Sequence, residues 1–335
     1  MQVIDIHAHA VLEESMGMAG PLGPEIGCSP EGQPWYRVGD YVLRGVKYRD
    51  SPFLEVELRL AAMDKAGIDL QMLSPNPLTY FHDAPSALAI EFCQSHNDAL
   101  ARTVAKHPDR LLASAALPMQ DPKAAVAELR RSVHELGFVA AYVGTAIGDL
   151  SLDDEAFDEL YATLVELDVP LFVHPAPPSM LPGGDKRLAR FDLDLLLGFA
   201  YEEALAVSSL VLGGVLDRHP ELDICISHGG GALPFLLGRF ERASRVRPWA
   251  SEELKAEGFS AALKRLWFDC HVHGATAQRL LVEAVGADRL VFGTNFAGWD
   301  QGGSLSLDDL APSLAGNARQ LLRLDGRLRP TEGRR

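Results

Sequence analysis

The chain has 335 residues, 47% hydrophobic and 23% charged, so it can bury a sizeable core and is not disordered throughout. Its 31 Lys and Arg against 46 Asp and Glu leave a net charge of −15, which speaks against nucleic acid or an anionic membrane as partner, because a basic face supplies that affinity. Four scattered cysteines, Cys28, Cys93, Cys225 and Cys270, form no CxxC pair, so neither a disulfide framework nor a zinc ribbon is expected. No apolar run approaches the roughly 20 residues of a membrane span. The first residues read directly as a strand, leaving no room for a signal peptide. A soluble, cytoplasmic enzyme is the expectation.

Short β-branched or apolar runs at 3–7, 68–73, 111–117, 138–143, 171–174, 224–228, 266–270 and 290–292 read as strands. Stretches of helical periodicity at 84–106, 122–136, 154–167, 195–216, 234–245 and 275–285 lie between them. Eight strands alternating with helices predict a (β/α)8 barrel of the TIM type, and near-continuous apolar strands fit a parallel sheet buried on both faces. A doubly wound open sheet is disfavoured, since no GxGxxG follows the first strand. The barrel is expected over residues 1–325 as a single domain, with a polar tail at 326–335. Residues 10–57 are too long for an ordinary βα loop and rich in Gly and Pro. Trp35, Tyr36, Tyr41, Val42 and Leu43 give this segment packing material, so it reads as a flap over the C-terminal mouth.

Histidines gather at the strand ends. His7 and His9 close the first strand at i, i+2, a spacing that turns both imidazoles to one face. His174, before Pro175, ends the fifth strand, and His228, before Gly229-Gly230-Gly231, ends the sixth. Imidazoles converging at the catalytic end of a barrel favour zinc or a similar first-row metal. A second pair, His271 and His273, ends the seventh strand; pocket lining or plain hydrogen bonding is its expected role, with metal ligation as the alternative. Tyr80, Phe81 and His82 follow the second strand, where aromatic rings can stack on a planar substrate or pack the loop. Asp300 has no pattern around it to support a role.

The set Asp5-Ile6-His7-Ala8-His9, Val173-His174-Pro175, Ile226-Ser227-His228-Gly229-Gly230-Gly231 and Leu236-Leu237-Gly238-Arg239, with a glycine-rich eighth-strand end, resembles the amidohydrolase superfamily. The likeness is to the group of aminocarboxymuconate-semialdehyde and resorcylate-type decarboxylases, and it spans nearly the whole chain. It implies that His7, His9 and His174 ligate one divalent metal, zinc or manganese, and that His228 is the general base that activates bound water or moves a proton on the substrate. It implies further that Arg239, presented across a homodimer interface, and Arg44 on the flap hold a substrate carboxylate, with Phe296 and Trp299 beside it. The family's last metal ligand is an Asp in a G-[ST]-D-Y-P stretch; this chain has Gly293-Thr294-Asn295-Phe296-Ala297. Asn295 can offer a carbonyl oxygen but no charge, which weakens the site. The Phe296 and Ala297 differences mark natural divergence rather than a point substitution. The expected activity is non-oxidative decarboxylation of an unsaturated or aromatic carboxylic acid. The alternatives are a hydrolase or hydratase on the same barrel, or a divergent member that has lost its metal.

Overall fold

The computed structural model describes residues 2–178, 185–298, 300, 301 and 311–327. Eight parallel strands form one sheet: β1 (Ile4–Ala10), then, after three strands outside it, β5 (Leu70–Pro75), β6 (Leu111–Ala116), β7 (Ala140–Val143), and, after two more, β10 (Leu171–Val173), β11 (Ile224–Ile226), β12 (Trp267–Asp269) and β13 (Leu290–Val291). They neighbour one another in that order. The last edge meets the first where the Ile6 N–H donates to the Phe292 carbonyl at 3.0 Å and the Phe296 N–H to the His7 carbonyl at 3.2 Å. The fold is the expected barrel. All eight predicted strands are present, each shifted or trimmed by a few residues at its ends.

Helices cross between the strands and bury one apolar layer against the outside of the sheet, among them Leu100, Leu129, Leu160, Leu210 and Leu281. A second apolar layer, including Ile4, Ile6, Met72, Tyr142, Phe172 and Trp267, fills the barrel interior. The helix Val56–Ala66 was not expected: its apolar residues make no single stripe, and its Arg59 is buried. The helical run Asp194–Leu212 corrects another expectation, being 19 residues long and apolar enough to cross a membrane by length and composition. Half of it is buried inside the protein, with the acidic Glu202 and Glu203 among the buried residues.

The segment 10–57 is ordered by a three-stranded antiparallel sheet, β2 (Glu25–Cys28), β3 (Pro34–Val38) and β4 (Tyr41–Arg44). The remaining strands, β8 (Ala146–Ile147) and β9 (Leu150–Ser151), make a small hairpin. Tyr36 packs on Tyr48 at 4.6 Å between ring centroids, and Tyr48 on Phe53 at 4.7 Å. Tyr41, Leu43, Val46, Tyr48 and Phe53 line a cavity together with His9, His174 and Asn295. Residues of this segment thus share a cavity with His9 and His174.

Candidate metal centre

A β-bulge builds the first part of the site. In β1, Asp5 pairs with Gln71 but Ala8 pairs with Leu73, so one extra residue enters the strand between them. The extra residue reverses the inside–outside alternation. Ile4 and Ile6 belong to the interior layer, Ala8 and Ala10 to the outer one, and His7 and His9 turn inward together. Asp5, left on the other parity, is fully buried as a brace rather than a ligand. It accepts from the Thr294 hydroxyl at 2.7 Å, the Thr294 N–H at 3.0 Å and the Gln71 amide at 2.8 Å. Gln71 is fixed in turn by Arg59 at 2.7 Å.

Each of His7, His9 and His174 spends Nδ1 on an acceptor. His7 donates to Asp269 Oδ2 at 2.7 Å, His9 to the Pro75 carbonyl at 3.1 Å and His174 to the Pro175 carbonyl at 2.7 Å. Because these oxygens can only accept, the proton sits on Nδ1 and the Nε2 lone pairs are free. Those lone pairs converge: His7 Nε2 lies 3.2 Å from His9 Nε2, which lies 3.2 Å from His174 Nε2. Burial pushes His9 down to about 3, and burial together with the neighbouring histidines lowers His7 and His174 well below the usual range. Three neutral imidazoles facing one point cannot satisfy each other by hydrogen bonds. Their spacing matches the roughly 3.0–3.4 Å between nitrogens bound at about 2.1 Å to one ion. The set fits a divalent metal, and Asp269 is the outer carboxylate that orients His7. Gly293 is required here, because a Cβ on it would lie 2.7 Å from the Cβ of His7 and 3.1 Å from that of Asp269.

His228 stands beside this set, its ring centroid 4.9 Å from those of His7 and His174. It adopts a positive φ of 46°, followed by three glycines also at positive φ, and a Cβ on Gly231 would strike the Ala200 carbonyl oxygen at 2.3 Å. Its Nδ1 meets Oε1 of the buried Glu203 at 2.5 Å, and the same oxygen accepts from the Ser227 hydroxyl at 2.8 Å. Burial alone would lower the His228 pKa, but Glu203, with Asp269 and Asp300 behind it, pushes it up to about 9. The buried Glu203 thus favours the protonated form of His228.

Asn295, at φ 50°, donates its amide to Asp300 Oδ1 at 2.7 Å, which leaves its carbonyl oxygen as the atom it can offer. Phe296 corrects an expectation: it is 1% exposed, packed in the core under the Arg59 guanidinium, and cannot touch a substrate. Arg44 and Arg239 are both exposed and line neither cavity at the mouth. Trp299 and the tail beyond residue 327 lie outside the described residues. Tyr80, Phe81 and His82 line a cleft of about 520 Å³ next to the site cavity of about 90 Å³, and Tyr41, Pro77 and Leu78 border both. Among the described residues no Lys or Arg lines either space. Glu203, Asp269 and Asp300 are site residues that the sequence did not reveal. The one available signal was a pair of glutamates, Glu202 and Glu203, in an otherwise apolar helix.

The amidohydrolase family model matches residues 4–324. The gamma-resorcylate decarboxylase of Rhizobium sp. (strain MTP-10005) is 34% identical over 298 residues, covering 81% of this chain and 88% of its own. The 2-amino-3-carboxymuconate-6-semialdehyde decarboxylase of Dictyostelium discoideum is 29% identical, covering 88% of this chain and 81% of its own. The crystal structure of the dihydroxybenzoic acid decarboxylase of Polaromonas sp. JS666, with bound manganese and the inhibitor 2-nitroresorcinol, superposes with a TM-score of 0.75 at 26% identity, over 97% of this chain and 98% of that one. The chain belongs to the amidohydrolase family.

Proposed function

We propose that this protein is a metal-dependent non-oxidative decarboxylase acting on an aromatic or unsaturated carboxylic acid. The observation that carries the reading is the convergence of three free Nε2 lone pairs beside a histidine held by a buried glutamate, in a barrel whose relatives are decarboxylases. Decarboxylation leaves an electron pair on the carbon that loses carbon dioxide, and this carbanion must be stabilised and then protonated. His7, His9 and His174 would hold the ion, with the Asn295 carbonyl available beside them. When bound, a divalent cation supplies positive charge that favours the build-up of negative charge on substrate oxygens. His228 keeps Nδ1 on Glu203 and presents Nε2 to the substrate. As the C–C bond breaks, its electrons stay on carbon, and the His228 proton forms the new C–H bond. Flap residues Tyr41, Leu43, Tyr48 and Phe53 exclude water from the carbanion.

Zinc is the ion the imidazole set favours, and the manganese of the Polaromonas neighbour makes that metal the alternative. The substrate's carboxylate needs a cationic partner that the described cavity walls do not supply. Phe235, Leu196, Leu197, Tyr201 and Leu205 are exposed on the two packed helices that carry Arg239 and Glu203. A homodimer that covers this face, with Arg239 of the partner subunit brought to the site, accounts for both features. Incubation of the metal-loaded protein with a panel of hydroxybenzoic and unsaturated acids in ¹⁸O-water tests the activity. Carbon dioxide release with no ¹⁸O in the organic product is expected; ¹⁸O incorporation without carbon dioxide assigns a hydratase or hydrolase instead.

A further inference from the structure

Beside the three-histidine centre, the described residues hold a second group of three donors close enough to share an ion: His271, His273 and Asp300. His271 Nε2 lies 3.2 Å from Asp300 Oδ2, and His273 Nε2 lies 3.8 Å from the same oxygen. The two imidazoles stand 5.1 Å apart between centroids, nearly at right angles. The first distance fits a hydrogen bond, but 3.8 Å does not. Both fit ligand atoms on one ion, which at bond lengths of about 2.1 Å stand about 3 to 4 Å apart.

The carboxylate is aimed. Asn295 occupies Asp300 Oδ1 at 2.7 Å, so Oδ2 is the oxygen presented to the histidines. A carboxylate at position 295 would face Asp300 at that distance and repel it. The neutral residue at 295 is therefore what allows the negative charge to sit at 300. Asp269 ties the two groups together: Oδ2 holds His7 Nδ1, and Oδ1 accepts the backbone N–H of His271 at 3.0 Å. The His271 ring lies 5.8 Å from that of His7 and 5.5 Å from that of His228, at the same mouth.

We propose that His271, His273 and Asp300 bind a second divalent cation, making the centre binuclear. The second ion would bring positive charge beside His7 and His228, near two cavities whose described walls contain no Lys or Arg. It thereby offers a partner for an oxygen anion of the substrate. This inference rests on its own donor set and is independent of which reaction the barrel performs.

The test is metal stoichiometry with Mn²⁺. The full chain and its variants are loaded, desalted and assayed by inductively coupled plasma mass spectrometry, with low-temperature electron paramagnetic resonance alongside. About two ions per chain and a spin-coupled signal are expected in the unaltered protein, falling to about one uncoupled ion in His273→Ala and in Asp300→Asn. The His273 side chain is 63% exposed, so its removal leaves the fold intact. His9→Ala is expected to lose the other ion and keep this one, which separates failure of the three-histidine site from failure of the proposal. One ion in the unaltered protein overturns the proposal, as does a stoichiometry that His273→Ala and Asp300→Asn leave unchanged.

Discussion

His228 Nδ1 and Glu203 Oε1 are 2.5 Å apart, with the carboxylate fully buried beneath the ring. The pair sets which proton His228 holds and where the ring points. In Glu203→Gln the negative charge is lost while the shape is kept, so the support that raises the His228 pKa disappears and burial pulls it down. The acid form of a proton donor is lost as pH rises through its pKa. The alkaline limb of the kcat profile is therefore expected to move to lower pH in Glu203→Gln, with kcat at neutral pH reduced on the order of 100-fold. An unshifted limb would show that another group supplies the proton.

Asp269 is the only described side chain that accepts from His7 Nδ1. Replacing it by Asn removes the charge that favours the Nδ1–H tautomer and leaves the Nε2 lone pair less basic. Asp269→Asn is expected to weaken metal binding by about 10- to 100-fold, read by competition with a chromophoric chelator. Asp5→Asn alters a carboxylate that meets Gln71, Thr294 and the backbone N–H of His7 at 3.1 Å but no ligand ring, and is expected to change metal affinity far less.

Arg239 is exposed and makes no ion pair among the described residues, on the same helix as Phe235, which is 82% exposed. If it serves the other subunit's site, Arg239→Ala and His228→Asn chains complement one another. In a mixed dimer the Arg239→Ala chain keeps its His228 and receives an intact arginine from its partner. Random reassembly of equal amounts is expected to restore about a quarter of the original activity from two nearly inactive proteins. No recovery, with mixed dimers present by native mass spectrometry, would mean that Arg239 does not serve the other subunit's site.

The barrel was legible because parallel strands buried on both faces are written as short apolar runs, and helices between them as periodic ones. The His7–His9 spacing and the glycines after His228 were legible for the same reason: they are local. What escaped depends on the folded chain. The bulge in β1 is visible only from its pairing with β5, and it decides that Asp5 braces while His7 ligates. Glu203 sits 25 residues before the histidine it charges, and Asp269 is 262 residues from His7. Asn295 read as a loss because its partner Asp300, five residues on, is defined by a turn and not by a motif. The arginines were placed by likeness alone, and in this chain their helix and strand turn them to solvent.

His96 and His82 are buried away from the metal set, and burial lowers both to about 4, opposed in His82 by the Ala146 carbonyl. In the unfolded chain both return to about 6.5, so between about 6.5 and 4 the unfolded state binds more protons than the folded one. Stability from these groups is thus complete above pH 6.5 and is lost as pH falls toward 4, on the order of 2 kcal/mol per histidine by pH 5. His96 Nε2 has no hydrogen-bond partner among the described residues, so His96→Leu removes the titration at the cost of one long bond, between Nδ1 and the Ser15 hydroxyl at 3.3 Å. The urea midpoint of His96→Leu is expected to fall less steeply between pH 7 and 5 than that of the unaltered protein. Parallel curves would mean that His96 takes up its proton inside the folded protein as readily as in water, in conflict with its burial.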